Sequence, residues 1–228
     1  MTIDIWSDVA CPYCYIGKRH LEAALSLFPN KEEVKINWRS FELDPQAIAK
    51  SEVDLYDLLA NKYRIPRHQA QQMTASVEQM GSKAGIDFNF SQVVSVNTFN
   101  AHRLIHLADE QGLQNQAKEA LLKAYFIDGK DLSDLSVLQR IAADISLDEE
   151  TVATCLQSDA FAQEVREDEQ LAYQIGVQGV PFFVFDQKYA LRGAQPVEAF
   201  VQTLEAILGE KNVAVGANDD ACDANGCD

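Results

Sequence analysis

Two cysteines separated by two residues, Cys11 and Cys14, stand near the start of the chain. Residues 2–6 favour a short strand, and the residues after the pair repeat apolar side chains with helical spacing. A C-x-x-C pair between a strand and a helix is typical of thiol–disulfide exchange, in which a thiolate attacks a disulfide. Because helix N-termini favour anions, we expect a lowered pKa for Cys11 and a more buried, resolving Cys14.

A zinc half-site is the alternative interpretation of the same two cysteines. A structural zinc ion needs four ligands, and Cys222 and Cys227 could supply the missing two. The strand–helix context favours redox chemistry over metal binding, so we expect no metal.

Size and charge narrow the function classes. The chain has 228 residues, 47% of them apolar, which is enough for one large domain or for a domain with a substantial insertion. Its formal net charge of -16 argues against nucleic acid and against an anionic membrane surface as partners. The first residues carry no basic, apolar leader, and no apolar run approaches the ~20 residues of a membrane span, so we expect a cytoplasmic protein.

The order of elements predicts an α/β protein with a thioredoxin-like fold. Residues 34–41 form a second strand, helical periodicity dominates residues 46–175 with six or seven helices, and a hairpin and a final helix follow. A large all-helical domain is therefore inserted between a β-α-β half and a β-β-α half, and it should fold back over the dithiol. The predicted units are residues 1–45 with 176–210 (thioredoxin-like domain), 46–175 (helical insertion) and 211–228 (flexible acidic tail).

Four segments in this order resemble the DsbA family of thioredoxin-fold oxidoreductases, and within it the FrnE-like cytoplasmic branch. The segments are residues 7–17, 41–45, 97–104 and 176–184. Together they cover nearly the whole chain.

The resemblance implies a thiol–disulfide oxidoreductase, with disulfide isomerase activity as a further expectation. It implies a cis peptide bond between Val180 and Pro181, and a substrate groove that these two residues form with Pro12 and Tyr13. The expected partners are disulfide-containing proteins or small molecules. No cofactor is expected besides the redox-active disulfide, glutathione would serve as reductant, and the choice between monomer and homodimer stays open.

Two other functions remain open. Kappa-class glutathione transferases and 2-hydroxychromene-2-carboxylate isomerases share the inserted helical domain, and they typically carry a single nucleophile at the position of Cys11. The second cysteine, Cys14, favours dithiol exchange over such a glutathione-dependent transferase or isomerase. The third interpretation is a redox-sensing or metal-sensing protein without enzymatic activity.

Polar residues of the insertion are further candidates. Asn97 and His102 are predicted to bind substrate, and the alternative is that His102 packs within a helix. Cys155 shares an apolar helical face with its neighbours and is predicted to be a small buried hydrophobe.

A second cysteine pair, Cys222 and Cys227, lies near the C-terminus with a turn-forming Asn225-Gly226 between its members. Three interpretations compete. The pair is an auxiliary dithiol that exchanges with Cys11 and Cys14, a soft-metal site, or an idle segment.

Overall fold

The computed structural model describes residues 1–29 and 31–219. The strands in this part of the chain are β1 (Thr2–Ser7), β2 (Lys35–Ser40), β3 (Phe182–Phe185) and β4 (Tyr189–Arg192). The α-helices are α1 (Pro12–Leu27), α2 (Leu55–Tyr63), α3 (Arg67–Lys83), α4 (Phe99–Glu110), α5 (Gln114–Phe126), α6 (Leu135–Asp144), α7 (Glu149–Gln157), α8 (Ala162–Gln174) and α9 (Val197–Asp219), and a 3-10 helix covers Lys31–Glu33. None of these helices is both long and apolar enough to cross a membrane.

The four strands form one sheet in the order β2-β1-β3-β4. β1 and β2 are parallel, with Thr2 opposite Lys35 and Ser7 opposite Ser40, and α1 connects them. β3 is antiparallel to β1, and β4 is antiparallel to β3. The predicted β-α-β and β-β-α halves of a thioredoxin-like fold are therefore confirmed.

Alternation along the strands gives the sheet two apolar faces. The fully buried side chains of one face are Ile3, Ile5, Phe183 and Phe185. On this face the ring centroid of Phe183 lies 4.8 Å from that of Phe200 in α9. The opposite face presents Trp6 and Phe182, which pack with Ala172 of α8. The central strands are covered on both sides.

Helices α2–α8 lie between β2 and β3, which confirms the predicted helical insertion. α5 is bound to β2, because Gln114 accepts a hydrogen bond from the backbone N–H of Trp38 at 2.8 Å and donates one to its carbonyl at 3.0 Å. The ring of Tyr15 in α1 lies 6.1 Å from that of Phe88, which follows α3. The insertion thus folds back onto the strand–helix unit that carries the two cysteines.

Helix α9 extends beyond the predicted start of the C-terminal tail. A flexible tail was expected from residue 211, but α9 continues past Gly209 to Asp219. The apolar pattern fades after Gly209, yet this stretch contains no proline. Adding residues to an existing helix avoids the cost of nucleation, so a helix can continue beyond the residues that form its apolar face.

Gly129 follows α5 in a left-handed conformation (φ +60), and a Cβ added there would lie 2.6 Å from Cβ and 2.7 Å from the carbonyl oxygen of Gln92. Gly112, between α4 and α5, has a similar φ of +68 but open space around it. We expect Gly129→Ala to lower the free energy of unfolding by about 1–3 kcal/mol more than Gly112→Ala, because only the first adds a clash to the backbone strain. Urea denaturation measures both, and equal losses would contradict this packing.

Candidate active site at the N-terminus of helix α1

The chain geometry between β1 and α1 sets the position of both cysteines. Cys11 is the N-cap residue of α1 in an extended conformation, with φ -103 and ψ 109, and Pro12 opens the helix. The backbone N–H of Cys14 donates to the carbonyl of Cys11 at 3.1 Å, so the second cysteine lies in the first turn. A proline suits this position because its missing N–H would have no helical partner. The predicted strand, loop, dithiol and helix are confirmed.

The Val180–Pro181 peptide bond is cis, as predicted. The Sγ of Cys11 lies 3.6 Å from the carbonyl oxygen of Val180, which places this segment directly against the first thiol. A Cβ added at Gly17 would come within 3.1 Å of Cγ of Pro181, so the absence of a side chain at Gly17 lets α1 approach the proline closely.

A cavity of about 580 Å³ opens at Cys11 between the thioredoxin-like core and the insertion. Cys11 is 3% exposed and lines the cavity, whereas Cys14 is 1% exposed and lies outside its wall. The described wall contains Pro12, Tyr13 and Val180 of the predicted groove but not Pro181. It also contains residues of α2 and α3, namely Leu55, Leu59, Lys62, Tyr63, Met73, Thr74, Ser76 and Val77. The insertion therefore forms much of the surface that a molecule at Cys11 would meet.

The two thiols shift each other's pKa in opposite directions. The hydrogen bond to Cys14 raises the pKa of Cys11 well above its ordinary value, and burial acts in the same direction. Burial also acts to raise the pKa of Cys14, but the hydrogen bond from Cys11 and the positive charge of Lys118 outweigh it and lower that pKa. The lowered pKa expected within the pair thus falls on Cys14, while the pKa of its hydrogen-bonded partner Cys11 is raised.

Lys118 of α5 is a site residue that sequence reasoning missed. It is 1% exposed, and its Nζ donates to the carbonyl oxygen of Ser7, at the end of β1, at 3.2 Å. Burial lowers the pKa of Lys118 to about 8, although the charges of Cys14 and Asp8 act in the opposite direction. The signal was present in the sequence, because Lys118 occupies an apolar helical face with Ala117, Leu121 and Leu122.

Asp8, three positions before Cys11, is a second buried charge that the sequence analysis did not single out. Its carboxylate accepts hydrogen bonds from the backbone N–H groups of Ala10 (3.2 Å) and Leu43 (2.7 Å) and lies 3.3 Å from Nε2 of His102. Burial acts to raise the pKa of Asp8, but the hydrogen bonds and the nearby cations lower it on balance. Burial lowers the pKa of His102.

The predicted substrate-binding roles of Asn97 and His102 are not supported by their positions. Neither belongs to the cavity wall as far as the structure describes it. His102 is 1% exposed and faces Asp8 in the interior, as its alternative interpretation required. The Asn97 side chain accepts a hydrogen bond from the backbone N–H of Phe99 at 2.9 Å and donates to the carbonyl of Ala47. Because α4 begins at Phe99, two positions after Asn97, these bonds hold the start of a helix.

The remaining cysteines divide into two groups. Cys155 in α7 is buried and 3% exposed, as predicted, and burial raises the pKa of its thiol. Cys222 and Cys227 lie outside the described residues, so both the auxiliary dithiol and the zinc alternative that needs them stay untested.

Three proteins of known structure resemble this chain over more than nine-tenths of its length. A probable DsbA oxidoreductase of Streptomyces coelicolor is 38% identical and has a TM-score of 0.88, with 92% of this chain and 91% of that chain covered. The cytosolic disulfide reductase DsbM of Pseudomonas aeruginosa is 15% identical (TM-score 0.63; 91% and 98% covered). A 2-hydroxychromene-2-carboxylate isomerase is 16% identical (TM-score 0.63; 94% and 99% covered). At these two lower identities the likeness is one of fold.

The family model described as a DSBA-like thioredoxin domain matches residues 2–205. This match contains the dithiol, the helical insertion and the cis-proline segment. The chain therefore belongs to the DSBA-like thioredoxin domain family.

Proposed function

We propose that this protein is a cytoplasmic thiol–disulfide oxidoreductase that uses Cys11 and Cys14 to exchange disulfides with proteins or small molecules. The observation that supports this most directly is a pair of thiols, one helical turn apart, of which Cys11 alone opens into an apolar cavity. The pKa of one thiol of the pair, Cys14, is lowered, which favours a thiolate within the dithiol. Membership of an oxidoreductase-containing family agrees with this chemistry.

The proposed cycle begins with a proton that moves from Cys11 to Cys14 along their hydrogen bond, which leaves a thiolate on the thiol that faces the cavity. Sγ of Cys11 attacks one substrate sulfur, and the substrate S–S bond breaks with its electron pair on the leaving sulfur, which departs as a thiolate. Cys14 gives its proton to that thiolate and attacks Sγ of Cys11, which releases the second substrate sulfur as a thiolate. The substrate gains two electrons, and the enzyme becomes a disulfide that two glutathione thiols reduce.

Disulfide isomerase activity uses the first half of the same cycle. If another thiol of the substrate attacks the mixed disulfide before Cys14 does, the substrate leaves with a new pairing and Cys11 returns as a thiolate. The cavity supports this role because apolar walls hold a partly folded chain at Cys11. Val180 offers its backbone beside the reacting sulfur.

Single cysteine variants test the proposed cycle. We expect Cys11→Ser to abolish reduction of a disulfide-bonded protein and Cys14→Ser to accumulate a mixed disulfide with substrate, because the attacking thiol remains while the resolving thiol is missing. Non-reducing electrophoresis and mass spectrometry detect the adduct. Cys155→Ser, which removes a buried thiol outside the cavity wall, is the matched control and should keep wild-type turnover. An active Cys11→Ser variant would refute the assignment.

A glutathione-dependent isomerase of a small aromatic molecule is the second candidate. The cavity of about 580 Å³ favours it, since small-molecule sites commonly measure a few hundred Å³ and are mostly apolar. In such a reaction Cys14 has no covalent role. A Cys14→Ser variant that loses disulfide exchange but keeps isomerisation would therefore select this candidate over the first.

Two methionines of α3 test whether substrate binds in the cavity. Met73 and Met80 lie on α3 with similar exposure, 43% and 39%, but only Met73 belongs to the described wall. We expect Met73→Ser to raise the KM for a disulfide-bonded protein roughly fivefold, as the loss of about 1 kcal/mol of apolar contact predicts. Met80→Ser should leave KM unchanged, and equal effects of both would argue against binding in this cavity.

The auxiliary role of Cys222 and Cys227 is also a proposal. If this pair exchanges with Cys11 and Cys14, the Cys222→Ser/Cys227→Ser double variant should return from the oxidised to the reduced state more slowly than wild type. Stopped-flow measurement of turnover with glutathione checks this. Unchanged kinetics and an unchanged potential would leave the metal and idle interpretations, which zinc binding to the wild-type chain separates.

A further inference from the structure

Lys62 is a cation in the wall of the cavity at Cys11, and the cycle above gives it no role. Apart from the thiol, it is the one side chain of the described wall that carries a charge at neutral pH. No carboxylate of the described residues lies within 4.0 Å of its ammonium group. The whole chain has a formal net charge of -16, so an unpaired cation beside the exposed end of the dithiol is an exception.

The helical spacing of α2 places Lys62 on the face that lines the cavity. Residues that lie four, seven and eight positions apart share one face of a helix. Leu55 and Leu59 line the cavity, and Lys62 and Tyr63, seven and eight positions after Leu55, line it as well. An ordinary amphipathic helix carries an apolar residue at such a position and its lysines on the opposite face.

Stabilisation of the helix end is the alternative explanation for Lys62. α2 ends at Tyr63, and a cation in the last turn interacts favourably with the carbonyl end of a helix. Lys83 has the same place in the last turn of α3 and is likewise exposed, but it does not belong to the described cavity wall. The helix-end effect therefore applies to both lysines, whereas only Lys62 lines the space next to Cys11.

The acidic residues of α2 leave this cation free. Asp54 caps the helix, and the carboxylates of Asp54 and Asp57 lie 2.7 Å and 2.6 Å from the guanidinium group of Arg67 in α3. Their charges are compensated by an arginine outside the described wall. Charges more than about 10 Å away are largely screened at ordinary ionic strength, so the negative charge of the whole protein does not cancel Lys62 locally.

The rest of the described wall suits an apolar chain. Four of its large side chains remain 43–52% exposed, namely Tyr13, Leu43, Tyr63 and Met73. Exposed apolar side chains that cluster around one opening are typical of a binding surface. The hydroxyl groups of Thr74 and Ser76 donate to carbonyl groups of α3 itself, at 2.9 Å and 3.0 Å. An occupant of the cavity thus meets apolar contacts and one positive charge.

We propose that the cavity selects disulfides in extended, apolar peptide segments with a carboxylate close to a half-cystine, and that Lys62 binds this carboxylate while Cys11 attacks the disulfide. The inference rests on the proposed thiol–disulfide function and names its substrate class. A compact space of about 580 Å³ is about 10 Å across, and an extended chain advances about 3.5 Å per residue, so the carboxylate belongs within about three residues of the reacting sulfur. Lys62 forms no bond with the reacting atoms and determines specificity.

Two peptides test this preference. Each contains one disulfide in an apolar segment, and they differ only in a glutamate or a glutamine two positions after a half-cystine. We expect the wild type to reduce the glutamate peptide with a roughly fivefold higher kcat/KM, which corresponds to about 1 kcal/mol for one partly shielded ion pair. Lys62→Gln should lower this ratio to about one, Lys62→Glu should invert it and Lys62→Arg should keep it. Lys83→Gln is the matched control and should keep the wild-type ratio.

The ratio is measured within each variant, so a general loss of stability or turnover cancels and the coupling between residue 62 and the peptide charge remains. A ratio near one in the wild type, a ratio that Lys62→Gln leaves unchanged, or an equal loss in Lys83→Gln would overturn the inference. Glutathione also carries carboxylates, so its reduction of the enzyme disulfide is measured separately. An effect of Lys62→Gln confined to the glutathione step would overturn the assignment to peptide substrates.

A binding measurement distinguishes failure of this inference from failure of the proposed function. If the wild type exchanges the disulfide of neither peptide, the proposed function fails. Calorimetric titration with the same two peptides, each with serine in place of both cysteines, then measures binding alone. Tighter binding of the glutamate peptide that Lys62→Gln abolishes would support the carboxylate site, and equal binding of both peptides would overturn it.

Discussion

A negative charge can persist between Cys11 and Cys14 only because compensating groups surround it. The thiols are 3% and 1% exposed, so water solvates the charge poorly, and an uncompensated buried anion would take up a proton instead. Part of the compensation is local, from the first turn of α1 and from the hydrogen bond between the thiols. Part of it comes from Lys118, more than one hundred positions away in sequence. The docking of α5 against β2 through Gln114 places this lysine in the same interior as the two cysteines.

Local patterns sufficed for the framework of the site. Alternating strands, helical spacing and Pro12 at a helix start predicted where β1 ends, where α1 begins and which cysteine lies deeper, and the structure agrees. The cis bond before Pro181 came from resemblance, because the sequence around a proline does not determine its isomer. The helical insertion was predictable from the long stretch without strand signals. Its folding back over the dithiol was predictable because both of its ends leave the same sheet.

Contacts between elements that are far apart in the sequence could not be predicted from local patterns. Local patterns do not single out Lys118, and only the packing of α5 against the end of β1 brings its ammonium to the carbonyl of Ser7. His102 looked available for substrate, but α4 turns it toward Asp8. Each of these outcomes depends on distances between helices, whereas the predictions depended on periodicity within them.

If Cys11 exchanges disulfides as proposed, the walls around it restrict by their shape which disulfides can react. The sulfur is almost completely covered, and the cavity at Cys11 provides its approach, bounded by Tyr13 on one side and by α2 and α3 on the other. A disulfide embedded in a rigid globular domain cannot enter such a space, whereas one carried on an extended loop, a chain terminus or a small peptide can. The reactivity of a substrate protein would then depend on its own local unfolding. Incompletely folded chains could reach Cys11, and fully folded ones could not.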